Sequence, residues 1–375
     1  MCEKRWAGPM LLVLVLLVSG LAQGRAELDA QMGPNPYRPV DGLASGGGEN
    51  LMGGPWASFP DGRAMGSLGS VHVDLDGEHV WAVVRCGDDG TPRGEQTYCD
   101  TSDLDPIVRF DPDGNAVAMF GSGLFVWPHG LHVDAEGNVW VTESGTGARL
   151  EAASQLRGGR AFGHQVFKFS PDGELLMTLG EAGVEGDGPN HFTAPSDVVT
   201  APNGDIFIAD GHNPTGNNRV VKYSRDGTFV TEFGGTGYGP GELRGPHGIA
   251  MDPGSGRLFV ADRGNNRIQI YDQEGNFVAT WTQFGKPSGI WIDEQGKIYV
   301  ADSESDMESN PGWEKGIRIG DVETGWVQHF ILDPGDNPAF STGSGAEFVT
   351  VDRHGNLYAG EPRPQRLQKY VRVRP

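Results

Sequence analysis

The amino-acid sequence predicts an all-β chain, a single-domain six-bladed β-propeller. Three observations carry that expectation. A half-repeat of a glycine turn followed by a short β-branched run recurs along the chain. Between its copies lie alternating segments broken by Asp-Gly or Glu-Gly, the mark of a tight hairpin. The chain holds 59 glycines in 375 residues and no long amphipathic helical period, which favours strands joined by turns.

The half-repeats follow in order. A weaker first copy runs from Asp74 through Gly77 to Val84. Clear copies follow at Asp134 to Glu143, Ala201 to Asp210, Gly256 to Asp262, Asp293 to Asp302 and Asp352 to Glu361. The intervening hairpins include Val166 to Met177, Val220 to Val230 and Ile268 to Val278, turning at Gly173, Gly227 and Gly275. Each unit then supplies about four strands, one propeller blade. The last unit, ending at Lys369 to Val373, lacks an outer strand, and the segment near Trp56 to Phe59 is the expected closure. The expected division is a signal peptide at 1–26, a loose arm at 27–50 and the propeller at 51–375.

The N-terminus reads as an export signal. Lys4 and Arg5 precede the apolar run Met10 to Val18, and small residues follow through Ala22, Gly24 and Ala26. That run is too short to span a bilayer as a stable helix, so the expectation is a secreted or periplasmic protein without stable membrane insertion after cleavage. An uncleaved anchor is the alternative. The formal net charge of −21 excludes a general nucleic-acid binder, which needs a basic footprint. Cys2 falls within the signal, leaving Cys86 and Cys99, which are expected to pair in an oxidising compartment.

The pattern resembles NHL-repeat propellers, most clearly in Phe259 to Tyr271. In such a ring the starts of the innermost strands face one mouth of the channel. Those positions are Ser70, His129, Ser196, His247, Ser288 and Ala346. Two are histidines in one context, Pro128-His129-Gly130 and Pro246-His247-Gly248. Imidazoles two blades apart at one level can share a zinc ion or another borderline metal.

A narrower resemblance covers Pro128 to Arg263. Pro128 to Leu131, His164 to Lys168, Asn190 to Phe192, Pro195 to Val198, Asp210-Gly211 and Val260 to Arg263 are similar, in order and spacing, to peptidyl-α-hydroxyglycine α-amidating lyases. That resemblance implies a C–N lyase that cleaves an α-hydroxyglycine to an amide and glyoxylate, with zinc on three histidines. His129 and His247 match the first two ligands, and Arg85 and Arg263 match two active-site arginines. Paired arginines suit a substrate carboxylate. Val71 and Leu131 match positions whose carbonyls bind a structural calcium. A separate oxidising enzyme would have to supply the hydroxylated peptide.

This chain departs from the pattern at the centre. Ala346 stands where the third histidine belongs, and Glu347 where an aspartate serves the calcium. His212 follows Asp210-Gly211 where the lyases have their tyrosine. Two expectations follow. Either the site is rebuilt, with His212 or Glu347 as the third ligand and one of them accepting the hydroxyl proton, or the lyase chemistry is lost and the propeller binds a ligand or protein. A calcium lactonase is a third reading, disfavoured because the inner positions are mainly serine and histidine. Asp197, Asp210, Asp262 and Asp302 read as turn or inter-blade ligands. The insertion at 143–160 is a candidate lid over the mouth, with a plain solvated loop the favoured reading, and the loop carrying Trp313 is a candidate pocket wall, as is Trp127.

Overall fold

The computed structural model describes residues 33–40, 56–86, 98–100, 102–212, 214–333, 345–363 and 365–373. The signal segment at 1–26 lies outside them. The described residues form six four-stranded antiparallel sheets. The innermost strands, from blade one to blade six, are Leu68–Val73, Pro128–Val133, Pro195–Thr200, Pro246–Met251, Pro287–Ile292 and Phe348–Val351. Each packs beside the next, and the sixth packs beside the first, so the ring is closed.

Closure differs from the sequence expectation. The outer strand of blade six is Tyr37–Pro39, paired with Arg366–Arg372, inside the arm expected to be loose. Trp56 to Phe59 instead plugs the seam between blades one and six. Trp56 lies against Phe110 and Tyr358, and Ser58 bridges Asn115. The alternation that identifies longer strands has no room to show itself in three residues.

The core lies between sheets. Trp81, Phe125, Phe167 and Phe169 fill the gap between blades one and two, and Phe259, Phe284 and Ile298 fill that between blades four and five. Each such side chain contributes about 1.5–3 kcal/mol on burial. The turn glycines sit where the chain needs φ > 0, as at Gly137 (φ 85°) and Gly227 (φ 82°).

The acids ending the second strands of blades three, four and five anchor the turns around them, as expected. Asp210 pairs with Arg219, Asp262 with Arg267 and Asp302 with Arg318, and each also accepts N–H groups from the loop that enters its blade. Asp197 accepts the N–H of Ile249 across the blade boundary. The insertion at 143–160 is not an open loop. It contains a helix, Ala148–Leu156, whose Leu150 and Ala153 pack on Val126 and Phe162. Cys86 and Cys99 are joined as a disulfide beside this cluster.

Candidate metal centre

The histidines reach the channel mouth through a local device. In blades two and four the pairing of the innermost strand slips at Pro-His-Gly, between Pro128 and Leu131 and between Pro246 and Ile249. Such a bulge takes a residue out of the ladder and re-aims its side chain. Proline suits the start of an edge strand. Glycine is required by close approach, since a Cβ on Gly130 would lie 2.5 Å from the carbonyl oxygen of Ser196, and one on Gly248 2.4 Å from that of Ser288.

Those carbonyls also set the histidine tautomers. His129 Nδ1 lies 2.6 Å from Ser196 O, and His247 Nδ1 lies 3.2 Å from Ser288 O. A carbonyl can only accept, so each Nδ1 donates its N–H and each Nε2 presents a lone pair to the channel. Metal-binding histidines are oriented in this way. Both Nε2 atoms are buried without a hydrogen-bond partner.

His212 and Glu347 complete the cluster. One ligand atom from each of His129, His212, His247 and Glu347 falls within 4.8 Å of the others. The His129 ring lies 4.6 Å from both other histidine rings, centre to centre. Glu347 Oε1 is 3.2 Å from His247 Nε2, and Glu347 Oε2 is buried without a partner. Two acceptors facing each other out of water repel unless a proton or a cation lies between them. Burial pushes all three imidazoles well below their ordinary pKa, reinforced by the neighbouring His247 at His129, by His129 and Arg263 at His212, and by Arg263 at His247. The rings are therefore neutral, the form that binds metals. The donor set fits a borderline divalent cation.

Both expected arginines border the cluster, in different states. Arg263 lies 3.3 Å from Glu304 and 3.7 Å from Glu347, and Glu304 also pairs with Lys286. Arg85 is buried; its Nε donates to Pro128 O at 2.9 Å, and its guanidinium stacks on Trp127. Trp127 also meets the rings of His129 and His212, so it does line the pocket. Trp313 does not; it packs on Arg318. His164 donates its Nδ1–H to Thr193 O at 2.6 Å from a left-handed backbone position and serves the architecture.

At the next level down the channel, the Leu131 carbonyl accepts the Ser70 hydroxyl at 3.4 Å, and Val71 occupies the matching place in blade one. The Glu347 carboxylate, which stands at a calcium-serving position of the lyases and is a candidate third ligand of the histidines, is turned to the histidines. Sequence reasoning missed Glu304 and Lys286, which lie outside every repeat element. It also missed the serine carbonyls, which carry no side-chain signal.

Comparison with known proteins agrees with this architecture. The NHL repeat family model matches residues 243–271. The chain is 34% identical over 217 residues to rat peptidylglycine alpha-amidating monooxygenase, covering 54% of this chain and 19% of that protein, so it spans about a fifth of that relative's length. It is 29% identical over 216 residues to a Caenorhabditis elegans protein named as a probable peptidyl-alpha-hydroxyglycine alpha-amidating lyase, covering 55% of each. Among solved structures, a Xanthomonas campestris gluconolactonase superposes with a TM-score of 0.54 at 15% identity, covering 90% of this chain and 97% of that one, a likeness of fold alone. Human NHL repeat-containing protein 3 is 34% identical over 280 residues, covering 71% of this chain and 72% of that protein. The chain therefore belongs to the family of NHL repeat-containing propellers that includes human NHL repeat-containing protein 3.

Proposed function

We propose that this propeller is an exported, metal-dependent carbon–nitrogen lyase that acts on a small or peptidic α-hydroxyglycine and releases an amide and glyoxylate. The observation that carries the reading is the set of buried, outward-facing lone pairs on His129, His247 and Glu347, with His212 closing the group. Export rests on the N-terminal pattern, and the hydroxylated substrate would come from a separate oxidising enzyme.

His129, His212 and His247 would hold the cation, zinc by resemblance to the lyases, with Glu347 beside it. Bound there, the metal would supply Lewis acidity toward the substrate hydroxyl. The chain's own groups account for the proton. Glu347 Oε2, an unpartnered acceptor, takes the hydroxyl proton. The oxygen electron pair forms the carbonyl of glyoxylate, and the C–N bond breaks with its electrons to nitrogen. The same proton returns from Glu347 to that nitrogen, giving the amide. Glu347 thus stands in for the lyases' tyrosine, and Arg263 holds the carboxylate in place. A calcium ion at Val71 and Leu131 finds a poorer donor set, since the Leu131 carbonyl is engaged and the nearby carboxylate is turned away.

The test is metal content of the purified protein by elemental analysis, beside His129→Ala/His247→Ala. The expected result is about one equivalent per chain, lost in the double variant, with glyoxylate released from N-benzoyl-α-hydroxyglycine by the wild type alone. A protein without metal at these histidines would sink the lyase and leave a ligand-binding propeller.

A further inference from the structure

The two Pro-His-Gly bulges belong to blades two and four, so the inner strand of blade three lies between them. Two consecutive buried residues of that strand, Ser196 and Asp197, touch both bulges. The Ser196 carbonyl accepts the His129 Nδ1–H at 2.6 Å and the Thr142 hydroxyl at 3.2 Å, and Thr142 in turn accepts the Gly130 N–H at 2.8 Å. On its other side Ser196 donates its hydroxyl to the Pro246 carbonyl at 2.8 Å. Asp197 accepts the Ile249 N–H at 2.9 Å. It also fills the space beside Gly130, where a Cβ would lie 2.6 Å from both its Cα and its Oδ1. The pairing of blade four slips between Pro246 and Ile249, so the dipeptide grips the His247 bulge at both ends.

Asp197 is 5% exposed. Asp210, Asp262 and Asp302 each have an arginine beside them, whereas no cation among the described residues pairs with Asp197. A buried carboxylate without a cation is costly to keep, and what offsets that cost here is its hold on blade four. Blade five offers a contrast. It lies between His247 and Glu347 and carries Ser288-Gly289 at the same positions. Its Ser288 carbonyl takes the His247 Nδ1–H, but the hydroxyl turns to Ser303, and glycine supplies no acceptor for blade six.

We infer that Ser196 and Asp197 are positioning residues that fix the span between His129 and His247 before a metal arrives, and that Glu347 stands outside this clamp. The inference rests on the metal site of the proposed function. Groups that support a ligand from behind set its orientation and the strength with which it holds a metal. The two imidazoles are thereby held at a fixed separation by one strand. Glu347, which has to take up a proton and return it, lies on the side that the clamp does not reach.

The test uses the full chain, with zinc as the probe of affinity, read by competition with a chromophoric chelator, and cobalt(II) as the probe of geometry, read in its visible spectrum. Asp197→Asn keeps the volume and replaces an acceptor oxygen with a donor. Ser196→Ala is milder, removing the hydroxyl and keeping the carbonyl. Each is expected to weaken zinc binding about 10–100-fold and to shift the cobalt bands. Asp134→Asn is the control, since Asp134 is a buried acid paired with Lys168 just past the far end of the His129 strand. It should lose stability with zinc affinity and cobalt spectrum unchanged. Zinc affinity within about twofold of the wild type in either clamp variant, or an equal loss in Asp134→Asn, overturns the clamp. Amide exchange of the metal-free chain gives an independent reading, in which residues 128–131 and 246–249 should both exchange faster in Asp197→Asn. A wild type that takes up no metal sinks the lyase. Joint loosening of the two segments would then leave the clamp standing, and loosening of neither would remove it too.

Discussion

Single residues in this protein are governed by what burial does to charge. Glu361, fully buried beside Arg366, has its carboxyl pushed up to about 7 by desolvation, only partly offset by that arginine. The folded chain therefore keeps a proton between about pH 4.5 and about pH 7 that the unfolded chain has lost. The unfolded state binds fewer protons in that window, so stability falls as pH rises through it and levels off above. Glu361→Gln removes the titrating group. Its denaturation midpoint should fall less than the wild type's between about pH 5 and about pH 8, a difference of roughly 2–3 kcal/mol. Parallel curves would show that Arg366 compensates fully. At the same scale the candidate site was half legible. His129 and His247 share a tripeptide that makes them visible, whereas Glu347 and His212 became ligand candidates by replacing expected residues. Glu304 and Lys286 have no pattern, because their role is to balance a charge that only the assembled mouth creates.

At the scale of elements, the Pro-His-Gly bulge is the device on which the site depends. Gly130→Ala puts a methyl group against the Ser196 carbonyl and the Asp197 backbone. It should cost about 1–3 kcal/mol in chemical denaturation and weaken metal retention, because His129 must move with its strand. Loss of stability with full metal binding would show that the histidine is positioned independently of the bulge. The strand Tyr37–Pro39 gives the second test. It covers the edge of Arg366–Arg372, and Gly33 nearby donates to Gln328 of blade five. Removing residues 33–40 exposes that edge and should lower the melting temperature and promote association through the open strand. An unchanged melting temperature would mean that the Trp56 plug closes the ring unaided.

The whole molecule brings residues far apart in sequence to one mouth. His129, His212, His247 and Glu347 come from blades two, three, four and six. Closure fixes their spacing, since each innermost strand is held on both sides by its neighbours. The other end of the channel is lined by His72, His132 and Trp291, with the His72 ring in edge-to-face contact with each of the other two. Burial lowers the pKa of His72 to about 4 and of His132 well below its ordinary value, so both stay neutral there. These two imidazoles thus add no charge to that end, and the acidic and basic groups of the site gather at the opposite mouth.

The repeat, its turn glycines and the strand-ending acids determined the fold from sequence alone, because each is a local requirement that recurs from blade to blade, the acids in all but the first. Alternation selects strands, φ > 0 selects glycine, and a buried acid calls for the arginine beside it. The paired Pro-His-Gly segments likewise announced a shared site. Only the tertiary structure decided which groups complete it. That outcome depends on which side chains ring closure brings within a few ångströms, and on which of their polar atoms it leaves buried without a partner. Distance through space and exclusion of water belong to the closed ring and to no segment of it.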